Sequence, residues 1–314
     1  MNQQRDVWLR EVGTRDGLQS IPTLFSTETK LEWIRREAAA GIPEIEVGSF
    51  VPPKLLPQMA DSAAVVAEAV KIRGLHVSVL VPNLKGAENA MAAGAHQINY
   101  VLSVSEAHSR ANVRRSVQES IEDFGRIIEL RNTTPAFRGV RVASGLATAF
   151  GCTMGGAVPQ EDVLAAARAL LELGADELAV ADTVGYGNPA QCRSLFRQVL
   201  AIAGDIPVAA HFHDTRGLGL ANVVAALDAG VRRFDASLAG LGGCPYAPGA
   251  SGNIVMDDLV FMLEAMDLKT GVDLEALLDV RHYVERHLRG EPTHGAIAKA
   301  GVPKGFVRPA LKHA

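Results

Sequence analysis

Short apolar runs rich in β-branched residues recur along the chain, separated by longer stretches with apolar positions at helical spacing. The short runs are VWLREV (7–12), EIEVGSF (44–50), LHVSVLV (75–81), QINYVLSV (97–104), GVRVASGLATAF (139–150), ELAVADT (177–183), VAAHFHD (208–214) and RFDASLAG (233–240). Between them lie helical patterns such as EDVLAAARALLELG (161–174) and LANVVAALDAG (220–230). Several predicted helices end at a glycine, at Gly41, Gly94, Gly174 and Gly230, and a strand run starts a few residues later. A glycine just past a helix end takes the left-handed cap without a Cβ clash. Eight strands alternating with helices predict a (β/α)8 barrel, ahead of a doubly wound open sheet. The glycine-then-strand units are not a solenoid, because their sequences differ and their spacing drifts. After about residue 256 the pattern turns helical and then Pro/Gly-rich, in RGEPTHGAIAKAGVPKGF. This predicts one barrel domain over 1–314, with 256–314 as an appended C-terminal cap.

Composition changes this picture little. The chain is 48% hydrophobic and 21% charged, enough apolar material for a large core. A net charge of −4 gives no reason to expect nucleic acid or an anionic membrane surface as partner. No apolar run reaches the length of a membrane span. The opening MNQQRDVWLREVG has no apolar core of a signal peptide. Cys152, Cys192 and Cys244 are too few, and odd in number, for a disulfide framework. The expectation is a soluble protein of a reducing compartment, the cytoplasm.

A barrel puts its chemistry at the C-terminal ends of the strands. The polar residues there are Arg15 and Asp16 after the first strand, Glu46 and Ser49 on the second, and Cys152 after the fifth. The sixth ends at Asp182 and Thr183, the seventh at His211, His213 and Asp214, and the eighth runs on to Cys244 and Asn253. Alternation along a strand puts His211 and His213 on one face. Two imidazoles there can share a divalent ion, or form a hydrogen-bonded core pair. Asp16 would stand across the closed barrel from them, and a buried carboxylate needs a cation or strong hydrogen bonds; it could equally be a turn-former before Gly17. Carboxylate and imidazoles together make a metal triad. Such a nitrogen–oxygen set suits Mg²⁺ or Mn²⁺, and Zn²⁺ or Co²⁺ also fit. Cys244 sits in a loop rich in Gly and Pro, GLGGCPYAPGASGN (240–253), as a reactive thiol or a buried structural one. Asn83 and Lys85, in PNLKG just past the third strand, are candidates for phosphate contact or ordinary loop residues.

Six stretches carry a resemblance: EVGTRDGLQ (11–19), SFVPPKLLPQMAD (49–61), PNLKG (82–86), ADTVGYG (181–187), HFHDTRGLGLAN (211–222) and LAGLGGCPYAPGASGN (238–253). With them the chain resembles the hydroxymethylglutaryl-CoA lyase family of TIM-barrel metallolyases. The resemblance implies Asp16, His211, His213 and Asn253 as metal ligands and Arg15 as the arginine beside the metal aspartate. It further implies Glu46 and Asp182 as site carboxylates, Cys244 as the catalytic loop cysteine, an acyl-CoA substrate and a homodimer. The implied reaction is cleavage of a 3-hydroxyacyl-CoA to acetyl-CoA and a keto acid, with His211 or Asp182 as base and Cys244 as proton donor. The chain departs from the family pattern at Thr14 (usually Pro), Ser20–Ile21, Val47–Gly48 and GCTMGG (151–156). These departures fall where the acyl portion should bind and make citramalyl-CoA, cleaved to pyruvate and acetyl-CoA, the alternative substrate. A condensing synthase of the same superfamily, a non-catalytic barrel and a metal-dependent hydrolase are the competing classes. The cysteine loop, the retained ligand set and the lack of a second carboxylate or lysine for two metals weigh against them in turn.

Overall fold

A computed structural model describes residues 5–243 and 252–309. Eight parallel strands close into a barrel in sequence order: β1 (Trp8–Glu11), β2 (Glu44–Ser49), β3 (His76–Val81), β4 (Gln97–Ser103), β5 (Arg141–Ala147), β6 (Glu177–Asp182), β7 (Val208–Phe212) and β8 (Arg233–Ala236). Every predicted run contains one of them. The helices are α1 (Thr27–Ala39), α2 (Ser62–Ala69), α3 (Leu84–Ala92), α4 (Glu106–Val113), α5 (Val117–Thr133), α6 (Gln160–Leu173), α7 (Pro189–Ala203) and α8 (Gly219–Ala229). After β8 come α9 (Met256–Ala265), α10 (Leu274–Glu285) and the short α11 (Ile297–Ala300). In this last region α9 packs on α10 and α11, and α10 packs on α1.

The local signals act as expected. Ser26, Asn83 and Ser105 cap α1, α3 and α4 by accepting an N–H two or three residues into the helix. Ser116 with Glu119, and Asn188 with Gln191, close reciprocal capping boxes on α5 and α7. Gly41, Gly94, Gly174 and Gly230 all have positive φ, between 92° and 114°.

Alternation sorts each strand into two faces. Phe212 and Phe234 face the helices and are fully buried; Phe212 meets Phe196 of α7 edge-on at 6.0 Å. The opposite face fills the barrel with charge. Arg10 sits among Asp235 (2.8 Å), Glu177 (3.0 Å) and Glu44 (3.2 Å), all buried. Buried charges of this kind persist only when paired.

Most strands stop before their predicted runs do, and three of those ends build the site. β1 stops at Glu11, and Gly13–Gly17 form a single π-helical turn. The Val12 carbonyl there receives the N–H groups of Arg15 (3.1 Å), Asp16 (2.6 Å) and Gly17 (3.3 Å). β7 stops at Phe212, and β8 at Ala236, before a short 3₁₀ turn over Leu238–Gly240. The backbone leaves the sheet at the C-terminal rim, where the polar residues gather. Among the described residues, no helix is long and apolar enough to cross a membrane.

Candidate active site

The π-turn presents Arg15 and Asp16 at the mouth of the barrel. Gly13 permits it, because a Cβ there would lie 2.5 Å from Glu11 Oε1 and 2.9 Å from both Ser237 Oγ and the Trp33 ring. From the far side, the chain after β8 returns and pairs with the end of β7. Ile254 N–H donates to Phe212 O (3.0 Å) and Asp214 N–H to Gly252 O (2.9 Å), which sets Asn253 beside His213.

Asp16, His211 and His213 therefore converge. Each offers a donor atom within 4.8 Å of the others. The two histidine Nε2 atoms face each other at 3.1 Å, and His213 Nε2 lies 3.6 Å from Asp16 Oδ2. Asn253 donates from Nδ2 to Asp16 Oδ2 (2.6 Å) and to Leu241 O (3.1 Å). Among the described residues its buried Oδ1 has no hydrogen-bond partner, nor has His213 Nδ1. A buried acceptor left unpaired beside two facing imidazole nitrogens and a carboxylate suits a shared cation. These residues fit a divalent ion.

The carboxylate is strongly held. Arg15 Nη1 and Gln19 Nε2 each donate to Asp16 Oδ1 at 2.7 Å. Burial alone would raise the Asp16 carboxyl, but the Arg15 guanidinium and His213 hold it far below the ordinary carboxylate range. Arg15 also donates through Nε to Glu46, whose other oxygen takes the Asn99 amide at 2.8 Å. Burial works against the Arg15 charge, yet Glu46 and Asp16 outweigh it and raise its pKa. The guanidinium is thus fixed, charged and nearly buried at the rim of the triad.

Three predicted site residues are engaged in local structure. The Asp182 carboxylate accepts the backbone N–H groups of Tyr186 (2.8 Å) and Gly187 (2.9 Å), tying down the turn after β6. Burial raises its pKa in spite of those two bonds. Asn83 is an N-cap, accepting the Gly86 N–H at 2.9 Å. Lys85 is exposed and pairs with Glu88 at 2.7 Å along the same helix. Both are accounted for by local helix chemistry, the plainer of the two readings the sequence allowed. Cys244 lies outside the described residues.

Sequence reasoning missed Asp235. It lies on β8 facing inward, with Oδ1 on Arg10 Nε (2.8 Å) and Oδ2 on His211 Nδ1 (3.2 Å). A carboxylate on Nδ1 turns Nε2 toward the cluster. Burial would raise the Asp235 carboxyl, but Arg10 and then His211 lower it to about 2. The run RFDASLAG held the signal, since alternation puts Asp235 opposite Phe234 and toward the barrel axis. Thr14, where the family usually has Pro, donates its hydroxyl to Glu46 O at 2.9 Å. Gly48 leaves room for Ser62, whose Oγ takes the Ser49 N–H at 3.0 Å.

A closed parallel barrel with a carboxylate–imidazole triad and a fixed arginine at its C-terminal rim has the layout of a TIM-barrel enzyme, with donors that suit a divalent ion. Comparison narrows this further. The family model described as HMGL-like matches residues 6–284, and the chain belongs to that family. It is 41% identical to the hydroxymethylglutaryl-CoA lyase YngG of Bacillus subtilis, over 92% of this chain and 95% of that one. It is 39% identical to the (R)-citramalyl-CoA lyase of Chloroflexus aurantiacus, over 94% of this chain and 95% of that one. An HMG-CoA lyase from Acinetobacter baumannii, solved with coenzyme A and 3-methylmalate, superposes with a TM-score of 0.89 at 39% identity, covering 96% of this chain and 97% of that one.

Proposed function

We propose that the chain is a divalent-metal-dependent carbon–carbon lyase that cleaves hydroxymethylglutaryl-CoA to acetoacetate and acetyl-CoA. The observation that carries this reading is the triad of Asp16, His211 and His213 beside the unpaired Asn253 Oδ1, in a chain about 40% identical to such lyases. Those four residues would hold the ion, Mg²⁺ or Mn²⁺, with Zn²⁺ or Co²⁺ compatible with the same donors. A bound ion would supply Lewis acidity to the hydroxyl and carboxylate oxygens of the substrate.

The chain's own groups do the rest. His211 is the base for the hydroxyl proton and can take it only at Nε2, because Nδ1 is held by Asp235; while it does so the ion would rest on Asp16, His213 and Asn253. The C2–C3 bond then breaks, leaving the keto acid, and its electron pair passes into the enolate of acetyl-CoA. Arg15, held charged by Glu46 and Asp16, supplies positive charge to the enolate oxygen. Cys244 returns a proton to the enolate carbon, a step that suits a thiol titrating near neutrality. Asp182, the second base the sequence offered, serves through the turn it holds. The same reading takes the acyl-CoA thioester as partner, a homodimer as assembly and the cytoplasm as location.

The 39% identity to a citramalyl-CoA lyase keeps a second acyl group in view. Purified protein with Mg²⁺ or Mn²⁺ should be offered each thioester separately, with acetyl-CoA and keto acid followed by mass spectrometry. Turnover of hydroxymethylglutaryl-CoA, lost in Cys244→Ala and with EDTA, is the expected result. Turnover of citramalyl-CoA alone would replace the acyl group. Cleavage of neither, with metal still bound, would sink both.

A further inference from the structure

The alternation that aims Arg10 into the barrel aims Glu11 outward, into the helix layer. There it meets Glu37 of α1, and both are fully buried. The other groups acting on them are Asp257 of α9, itself paired with Arg281 of α10 at 2.9 Å, and the Trp33 indole of α1. Two carboxylate oxygens cannot bond to each other unless one carries a proton. As ions, Glu11 and Glu37 would be like charges in a dry interior without a cation. Both oxygens of Glu37 are buried with no hydrogen-bond donor among the described residues.

Glu11 is the better placed to carry the charge. Its Oε1 accepts the Gly13 N–H at 2.6 Å, and the Leu238 N–H lies 3.0 and 3.1 Å from its two oxygens. Those two N–H groups open the two turns that frame the site. Gly13 begins the turn bearing Arg15 and Asp16. Leu238 begins the 3₁₀ turn that ends at Gly240; two residues on is Gly242, where a Cβ would lie 2.5 Å from Asn253 Nδ2 and 3.1 Å from Asp16 O.

We propose that Glu11 and Glu37 form a buried carboxyl pair holding one proton, and that the Glu11 carboxylate is a positioning residue fixing the Arg15–Asp16 turn against the Leu238–Gly240 turn. A protonated Glu37 donates to Glu11 and removes the repulsion, so the clamp stays charged and in place. Burial is the first cause that raises both carboxyls, with the charge of Glu11 next for Glu37 and backbone N–H groups opposing for Glu11. The pair deepens the metal-lyase reading, and only the turnover readout below rests on that reading.

The test uses the full chain. Glutamate labelled with ¹³C at the side-chain carboxyl should show, in the wild type, one buried carboxyl still protonated at neutral pH, and this signal should be absent in Glu37→Gln. Mn²⁺ affinity by calorimetry should stay within about threefold of wild type in Glu37→Gln, whose amide N–H still donates to Glu11. It should fall at least about tenfold in Glu11→Gln, because a neutral amide accepts more weakly than a carboxylate and puts an NH₂ where Oε2 faced the Leu238 N–H. Turnover in Glu11→Gln should lose kcat more than it raises KM. Ordinary titration of both carboxyls in the wild type would overturn the pair, a measurement that needs no variant to fold. Unchanged Mn²⁺ affinity in folded Glu11→Gln would overturn the clamp. A wild type that binds Mn²⁺ but cleaves neither thioester would sink the lyase reading, while the titration and metal arms still decide this one.

Discussion

His211 is gripped from both sides, by Asp235 at Nδ1 and by the facing His213 and Asp16 at Nε2. Asp235→Asn keeps the shape and loses the charge, so Mn²⁺ affinity measured calorimetrically should fall about 10–100-fold. His213→Ala should remove measurable binding, since it takes away one of three clustered donors. Arg15 contributes differently. Arg15→Gln should lower kcat about 10²–10³-fold, the usual cost of losing a fixed donor to developing negative charge. A kcat that barely changes would remove Arg15 from the enolate. Asp16, His211 and His213 were legible because alternation and strand ends locate side chains before any fold is known. Gln19 was not, since it acts on another site residue and nothing in its own neighbourhood marks it; Asp235 was marked by alternation alone, which does not say that it stands behind His211.

The turns at the rim are where elements and site meet. Strand runs were legible because β-branched apolar stretches bounded by glycine have few alternatives. Their ends were less so: β1, β7 and β8 all stop before the apolar pattern does. The pattern reports burial, and residues of a tight turn can be as buried as a strand. Gly242 has φ +107°, and a Cβ there would lie 2.5 Å from Asn253 Nδ2 and 3.1 Å from Asp16 O. Gly242→Ala should therefore weaken Mn²⁺ binding at least about tenfold through backbone displacement at a strained position. Retained affinity, measured in the same calorimeter, would show that this turn yields freely. Asn83 and Lys85 show that a short motif at a strand end also carries local chemistry, Asn83 as the cap of α3 and Lys85 in a pair with Glu88.

The closed barrel joins these pieces, and its stability should reflect both of its layers. Phe212→Ala should cost about 3–5 kcal/mol in denaturant unfolding, because the ring is fully buried against Phe196 and Phe150. The Glu11–Glu37 pair sets a pH dependence whose sign is fixed. Its folded pKa values lie above the ordinary 4.5, so the folded state keeps a proton that the unfolded chain gives up. The associated stability is full below about pH 4.5 and is lost as pH rises toward the folded values. Glu37→Gln needs no such proton. Its Tm should gain on the wild type steadily as pH is raised from about 5 toward 9, and a constant difference across that range would contradict the shared proton.

The order of elements, the barrel class and the histidine pair followed from the chain alone, because periodicity, glycine stops and capping residues act over a few neighbours. Closure of the barrel decided what those local rules cannot reach. It brought Asp16, next to β1, within reach of His213 after β7, and seated Asn253 beside both. It also set Asp235 behind His211 and buried Glu11 against Glu37. Contacts between residues far apart in sequence depend on register and on which strands become neighbours, and those are fixed only when all eight strands pair at once.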